Sequence, residues 1–409
     1  MKRLRHHASL GLLCGNNEME TCVRDWGKDD SLLVKMDYLR LYEYILPELC
    51  RQYAPQTFYW PSSPSSGGGF DDPNNENIGD VHFWDVWNGG MPFEEYRKYY
   101  FRFCSEFGFQ SLPSMKTIKS FAASDQLNLF SPVMENHQKH MNGNKKFLMY
   151  SADRYLYSTS MRSVVYASQL VQADAIRYGV EHFRANRGRC MGAVYWQLND
   201  CWPVASWSSI DCFGRRKALY YAAKKFFAPV LLSLHEDGYN VRLNISNETI
   251  NDFSGTVVCE IKDTVFKTLF KTAVKADTDA LSAHFIAEYD FAGKIKNARE
   301  NFLVCTLYDN NGRRLMEQTL IFVKPKRFDF KKPVFDVKIT KNGDDTEITI
   351  KSNTYAANVE IDFSEFDIAL SDNYFDITSD EGMTVYTKTE KSIDELEKAL
   401  ELHSVYDIR

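Results

Sequence analysis

Apolar and polar positions along the chain change rhythm once, near residue 229. Before that point short apolar runs alternate with longer amphipathic stretches. Residues 8–14 (Ala-Ser-Leu-Gly-Leu-Leu-Cys) run into Gly15-Asn16-Asn17-Glu18, which predicts a buried strand with a polar loop at its C-terminal end. Leu32, Leu33, Met36, Leu39, Ile45, Leu46 and Leu49 recur at helical spacing and predict a helix over about 30–53 with that side buried. Thr57–Trp60 predicts a second strand, followed by a long Pro/Ser/Gly and Asp/Asn-rich loop to Asp80. Loops of that length in compact domains are usually functional. Further strands are predicted at 81–86, 101–105 and 191–196, with helices over about 161–186 and 216–227.

After Pro229 the period drops to two. Stretches 230–246, 255–263, 265–274, 281–289 and 301–323 alternate or are β-rich, with turns such as Asp309-Asn-Asn-Gly312. A second β-rich stretch begins near Pro333, carries a hairpin signal at Asn342-Gly-Asp-Asp345 and closes with a short helix over 393–402. Strands alternating with helices predict a parallel α/β sheet, and polar motifs at the strands' C-terminal ends point to a TIM (β/α)8 barrel. Five strands are counted, near 10, 58, 83, 103 and 193, where a closed barrel has eight. The expected fold class is α/β plus all-β: a partial TIM barrel over 1–228, an Ig-like β-sandwich over 229–326 and a C-terminal β-sandwich-like domain over 333–409, with 324–332 as linker.

Composition narrows the function. The 409 residues are 44% apolar and 25% charged, with a net charge of −6. That balance argues against nucleic acid, whose binders present a basic face. No apolar run of about 18 residues is present to span a membrane. The nine cysteines are scattered and form no CxxC pair, so neither a disulfide framework nor a zinc site is expected. Met1–His7 is basic but leads into no apolar core or cleavage site; no signal peptide is expected, and the cytoplasm is the default compartment.

Two carboxylates stand at predicted strand ends: Glu18 after Asn16-Asn17, and Glu106 in Phe103-Cys-Ser-Glu-Phe-Gly. Glycoside hydrolysis needs such a pair, one carboxyl to protonate the leaving oxygen and one to attack or to direct water. The same residues also fit ordinary strand-end charges that cap loops. Trp60, Trp84 and Trp87 lie at or just past strand ends and either line a pocket or pack under loops. His82 sits inside its strand and reads equally as a partner of the carboxylates or as a core histidine. Asp200 and Trp202, just past the last strand, read as structural residues or as residues that order the rim. No metal is expected at His6-His7, which lack acidic or cysteine partners at ligand spacing. Asn244-Ile-Ser and Asn247-Glu-Thr fit the glycosylation pattern.

Three long strings, RHHASLGLLCGNNE, SEFGFQSLP and YWQLNDCWPVASWSSID, together with Ala369-Leu-Ser-Asp-Asn-Tyr-Phe-Asp376, resemble glycoside hydrolase family 2, in its β-mannosidase branch. The resemblance runs the whole chain and implies barrel strands four to eight followed by the family's two C-terminal β-sandwiches. It implies that Glu18 is the acid/base and Glu106 the nucleophile of a retaining, two-glutamate mechanism. It implies that Asn17 meets the sugar's 2-hydroxyl and that Trp196 forms the aromatic floor, with Trp84, Trp60 and His82 as further substrate-binding candidates. The implied substrate is a β-mannoside oligosaccharide with a terminal non-reducing β-D-mannose, and no cofactor is needed. The departure from the family is the absence of its N-terminal domains and first three barrel strands, to be supplied by an N-terminal half or by a second copy. The alternatives are another family 2 exo-glycosidase (β-glucosaminidase, β-galactosidase or β-glucuronidase), or an inactive fragment serving as a sugar-binding or interaction module.

Overall fold

The computed structural model describes residues 1–27 and 31–408. The chain divides into two compact units: Met1–Gly108 with Asn186–Trp196, and Phe109–Ala185 with Gln197–Arg409.

All five expected strands of the first region occur, and all lie in the first unit. Strands β1 (Leu12–Cys14) and β2 (Phe58–Trp60) pair in parallel, and β3 (Val81–Phe83), β4 (Cys104–Gly108) and β5 (Ala193–Trp196) form a second parallel sheet in that order. Three strands differ from expectation by three residues or more. β1 begins at Leu12 rather than at residue 8, and it is not buried, since Leu12 and Cys14 are exposed. β3 stops at Phe83 because the Trp84 carbonyl turns to accept from the Asn88 and Gly89 amides. β4 begins three residues later than expected; the near-continuous apolar run 99–109 carries no alternation that would set its start. Glu106 therefore lies inside the strand, not at its end.

Aromatic side chains make this unit's core. Phe83 meets Tyr96, Tyr99 and Phe101 at ring-centroid distances of 5.4, 4.9 and 5.3 Å, and Tyr96 meets Phe107 edge-on at 5.9 Å. Trp87 is fully buried here, which settles it as packing.

The expected 30–53 helix is helical from Leu32 on; its expected first residue lies outside the described ones. It runs as α2 (Leu32–Tyr38), a π-helical stretch Leu39–Ile45 and α3 (Leu46–Tyr53), preceded in the chain by the short α1 (Met19–Arg24). Ser31 caps α2, its Oγ accepting from the Val34 amide. Pro47 has no N–H to give the carbonyl four residues back, and the widened turn lies just before it. The side expected to be buried is not: Leu32, Leu33, Met36, Leu39 and Ile45 are exposed, Leu32 at 75%. Tyr38 is buried instead. Helical periodicity marks a face that gains from cover without specifying that this chain supplies it.

In the second unit, α4 (Met115–Lys119), α5 (Pro132–Asn136), α6 (Gly143–Arg154), α7 (Met161–Ala185) and α8 (Ala218–Phe226) precede the β-rich part. Helix α7 is buried along most of its length. Strands β6 (Val230–Asp237), β7 (Asn240–Asn247) and β10 (Ser282–Asp290) form one antiparallel sheet; β8 (Gly255–Asp263), β9 (Thr268–Lys275), β11 (Asn301–Asp309) and β12 (Arg314–Ile321) form another. Their shared core includes Leu243, Ile245, Val257, Cys259, Leu303 and Cys305. Asn244 and Asn247, which fit the glycosylation pattern, are buried on β7, and the Asn247 amide donates to the Asn251 and Asp279 carbonyls. A folded chain offers neither to a glycan.

Strands β13 (Phe335–Asn342), β14 (Asp345–Ser352) and β17 (Met383–Lys388) form the next sheet, with β15 (Ala356–Phe363), β16 (Phe375–Ile377) and β18 (Leu400–His403) opposite, and α9 (Ile393–Ala399) leading into β18. The expected hairpin is present: Asn342 pairs with Asp345, and Gly343 takes the left-handed φ of 60°. Among the described residues no helix is long and apolar enough to cross a membrane.

Gly15 couples β1 to β2. Its amide donates to the Trp60 carbonyl at 2.9 Å, and a Cβ there would stand 2.3 Å from the Pro61 oxygen. Gly15→Ala is expected to destabilise the first unit by about 1–3 kcal/mol, whereas Gly11→Ala, with nothing within 4 Å of an added Cβ, should change stability by less than about 0.5 kcal/mol. Urea midpoints followed by tryptophan fluorescence check both; equal midpoints would refute the close approach.

Candidate active site

Three side chains of the first unit converge: Glu18 from the loop after β1, His82 from β3 and Glu106 from β4. β1 ends in Cys14, and the loop beyond it is stitched to the loop beyond β2. The Asn16 amide donates to the Pro61 carbonyl (3.0 Å), its Oδ1 accepts from Ser62 Oγ (2.7 Å) and the Met19 amide (3.0 Å), and its carbonyl accepts from the Ser63 amide (3.0 Å). Glu18 follows, with its own amide donating to the Ser63 carbonyl at 2.8 Å. Its backbone is left-handed, with φ 59° and ψ 7°. A left-handed backbone of this kind is unfavourable by roughly 1–2 kcal/mol for a residue other than glycine, and persists where the surroundings impose it.

β3 and β4 run in register with His82 beside Glu106. Asn74 clasps the His82 backbone from the long loop, accepting from its amide (2.8 Å) and donating to its carbonyl (3.0 Å). The buried ring then places Nδ1 2.7 Å from Glu18 Oε1 and 2.5 Å from Glu106 Oε2. The contact with Glu18 has hydrogen-bond geometry; Glu106 Oε2 faces the same nitrogen without it. Burial favours the neutral ring, but the close carboxylates of Glu106 and Glu18, with their negative charge, outweigh it and raise the His82 pKa to about 9. At neutral pH the two carboxyls thus share an imidazolium.

These three ligand-type atoms lie within 4.8 Å of one another, close enough to raise a metal reading. Nδ1 stands at hydrogen-bond distance from both oxygens, whereas ligands about 2.1 Å from a tetrahedral zinc lie roughly 3.4 Å apart. A protonated nitrogen also has no lone pair to offer.

Beneath it is a shell that sequence reasoning missed. Asp80 accepts from Ser63 Oγ (2.6 Å), Ser105 Oγ (2.5 Å), Trp60 Nε1 (2.9 Å) and the Ser65 amide (3.1 Å), and Ser63 Oγ lies 3.0 Å from His82 Nε2. The one sequence signal was the long polar loop that ends at Asp80.

The remaining candidates divide. Trp60 is half-buried and tied through its indole to Asp80, so its ring supports the site. Asn17 pairs its backbone with Ser63 and is exposed. Trp84 is half-buried one residue past β3, and Trp196, at the end of β5 in register with Gly108, is 45% exposed. His6 and His7 are exposed, their rings 4.1 Å apart. Asp200 belongs to the second unit, where it is buried and accepts from Ser206 and Ser208, a structural knot.

Comparison with known proteins gives these geometries a context. Residues 239–327 match the Mannosidase Ig/CBM-like domain, and residues 330–408 match the Ig-fold domain of mannosidases. The chain is 34% identical over 256 residues to Beta-mannosidase B of Aspergillus terreus, covering 59% of this chain and 30% of that protein. It is 28% identical over 432 residues to Beta-mannosidase B of Thermothelomyces thermophilus, covering 94% of this chain and 50% of that one. The crystal structure of Beta-D-Mannosidase from Dictyoglomus thermophilum superposes with a TM-score of 0.90 at 28% identity, over 98% of this chain and 49% of that chain. The exo-chitosanase CsxA of Amycolatopsis orientalis shares the fold at 16% identity, TM-score 0.71. The chain thus spans about half or less of the length of the relatives it matches.

The charge arrangement has a stability consequence. The folded His82 pKa of about 9 lies above its ordinary 6.5, so the stabilisation is fully present below pH 6.5 and is lost as pH rises through about 9. His82→Gln is expected to abolish that dependence, on the order of 3 kcal/mol between pH 6 and 10. Urea midpoints at both pH values check it; a variant that tracks the parent's pH dependence would show that the ring is not charged by its neighbours.

Proposed function

We propose that this chain, which is similar to the β-mannosidases of glycoside hydrolase family 2, carries the catalytic pair of a retaining exo-glycosidase that removes terminal non-reducing β-D-mannose. The observation that carries the reading is the convergence of Glu18 and Glu106, with facing oxygens within 4.8 Å, on one imidazole. Retaining enzymes hold their carboxyls about 5–5.5 Å apart; inverting ones leave about 6.5–9.5 Å for a water between them. The spacing favours retention.

Glu106 attacks the anomeric carbon while Glu18 gives a proton to the departing oxygen, which leaves a glycosyl ester on Glu106. Glu18, now a carboxylate, takes a proton from water, the water attacks the same carbon, and the ester bond breaks. In this reading Asn17 meets the 2-hydroxyl, Trp196 is the aromatic floor under the sugar, and Trp84 borders it. In this reading the chemistry calls for no cofactor.

The same reading assigns 1–228 as part of a (β/α)8 barrel, strands four to eight, with β-sandwich domains at 229–326 and 333–409. It also assigns a partner. The uncovered Leu32, Leu33, Met36 and Leu39 face, in a chain half the length of its relatives, fits a polypeptide corresponding to their other half better than a second copy. That observation keeps a second reading in place, in which the chain alone binds sugar without turnover.

Hydrolysis of alkyl and aryl β-mannosides, by the chain alone and with the other half added, tests this. Glu106→Gln is expected to lower turnover by about 10³-fold or more. Glu18→Gln should cost about 10²–10⁴-fold on alkyl mannosides and less on nitrophenyl ones, whose leaving group needs little protonation. Turnover that survives Glu106→Gln would remove the assignment; activity only after adding the other half would establish the partner.

A further inference from the structure

The Asp80–Ser63 pair restricts what His82 does, and the restriction follows from counting hydrogens. Asp80 accepts at each of its four contacts. Ser63 has one hydroxyl hydrogen, and its shortest contact, 2.6 Å, is to Asp80 Oδ2; Ser105 Oγ lies farther away at 3.2 Å. With that hydrogen committed to Asp80, Ser63 Oγ turns a lone pair toward His82 Nε2 at 3.0 Å. Nε2 must then carry a hydrogen in the charged and the neutral ring alike. In the neutral ring the bare nitrogen is Nδ1, the one facing Glu18 Oε1 and Glu106 Oε2.

We infer that Asp80 and Ser63 are positioning residues that lock His82 in the Nε2–H tautomer, so that Nδ1 stores the proton Glu18 delivers to the leaving group. The exchange is balanced: the proton on Nδ1 passes to Glu18 Oε1, and an imidazolium facing a carboxylate becomes a neutral imidazole facing a carboxylic acid. In the second half-reaction the proton that Glu18 takes from water returns to Nδ1. Among the described residues, the charged groups around the ring are Glu18 from the loop after β1, Glu106 from β4 and, one serine away, Asp80 before β3. The delivery role rests on the glycosidase reading; the tautomer lock does not.

Long-range proton–nitrogen correlation spectra of the chain labelled with ¹⁵N-histidine test the lock without any turnover, with the His82 signal assigned from His82→Gln. The expected result is Nε2 protonated throughout and Nδ1 losing its proton as pH rises through about 9. Ser63→Ala should lower that midpoint by about 0.5–1 pH unit, and Ser63→Thr, which keeps the hydroxyl, should restore it. A neutral His82 protonated on Nδ1, or a midpoint unmoved by Ser63→Ala, would overturn the inference. The parent's tautomer decides the question even if Ser63→Ala fails to fold. A lock observed in a chain whose Glu106→Gln variant retains turnover would keep the lock and discard the proton delivery.

Discussion

Two carboxylates held about 5 Å apart in a partly buried site repel one another by about 3 kcal/mol at an effective dielectric near 20. The first unit resolves this repulsion with one cation, the His82 imidazolium, placed against both. Much of the surrounding structure serves that placement. Asn74 grips the His82 backbone, Asp80 and Ser63 hold the far side of the ring, and the Asn16 network forces Glu18 into a left-handed backbone that aims its carboxyl inward. Strain at Glu18 is tolerated because hydrogen bonds to the loop after β2 over-determine it.

The sheets explain why these groups meet. Parallel strands put their C-terminal ends on one side, so loops leaving β1 and β2 knit together, and register on β3 and β4 sets His82 beside Glu106. In the second unit, antiparallel pairing buries alternate residues in two successive sandwiches with separate cores. These sandwiches match mannosidase-type domain families, and 98% of the chain superposes on about half of a β-mannosidase.

Much of this was legible in the residues. Five short apolar runs became five strands; β3 and most of β4 are buried, as continuous apolar segments bounded by polar loops should be, whereas β1, β2 and β5 are only partly covered. Glu18 and Glu106 were visible for the same reason: an acid at or in such a segment breaks its pattern. Less was legible where no period exists. The start of β4 was misplaced in an aromatic-rich stretch without alternation. The α2 face was expected to be buried because amphipathicity records what a helix requires and not whether the chain provides it. His82 read equally as core or partner, since only cross-strand register with Glu106 tells the two apart. Asp80, Ser63, Ser105 and Asn74 went unseen because single polar residues in an irregular loop carry no pattern until the loop folds back on the strand. The buried Asn244 and Asn247 show the converse, a local motif overruled by the strand that contains it.

The central claim is that Glu106 attacks sugar while Glu18 manages the proton. The most direct measurement is peptide mass spectrometry after inactivation with a 2-deoxy-2-fluoro-β-mannosyl fluoride, whose fluorine slows release of the covalent intermediate. The account predicts the fluorosugar on the peptide containing Glu106, and no labelling of a Glu106→Gln chain. A label on Glu18, or complete inactivation with Glu106 unmodified, would contradict it.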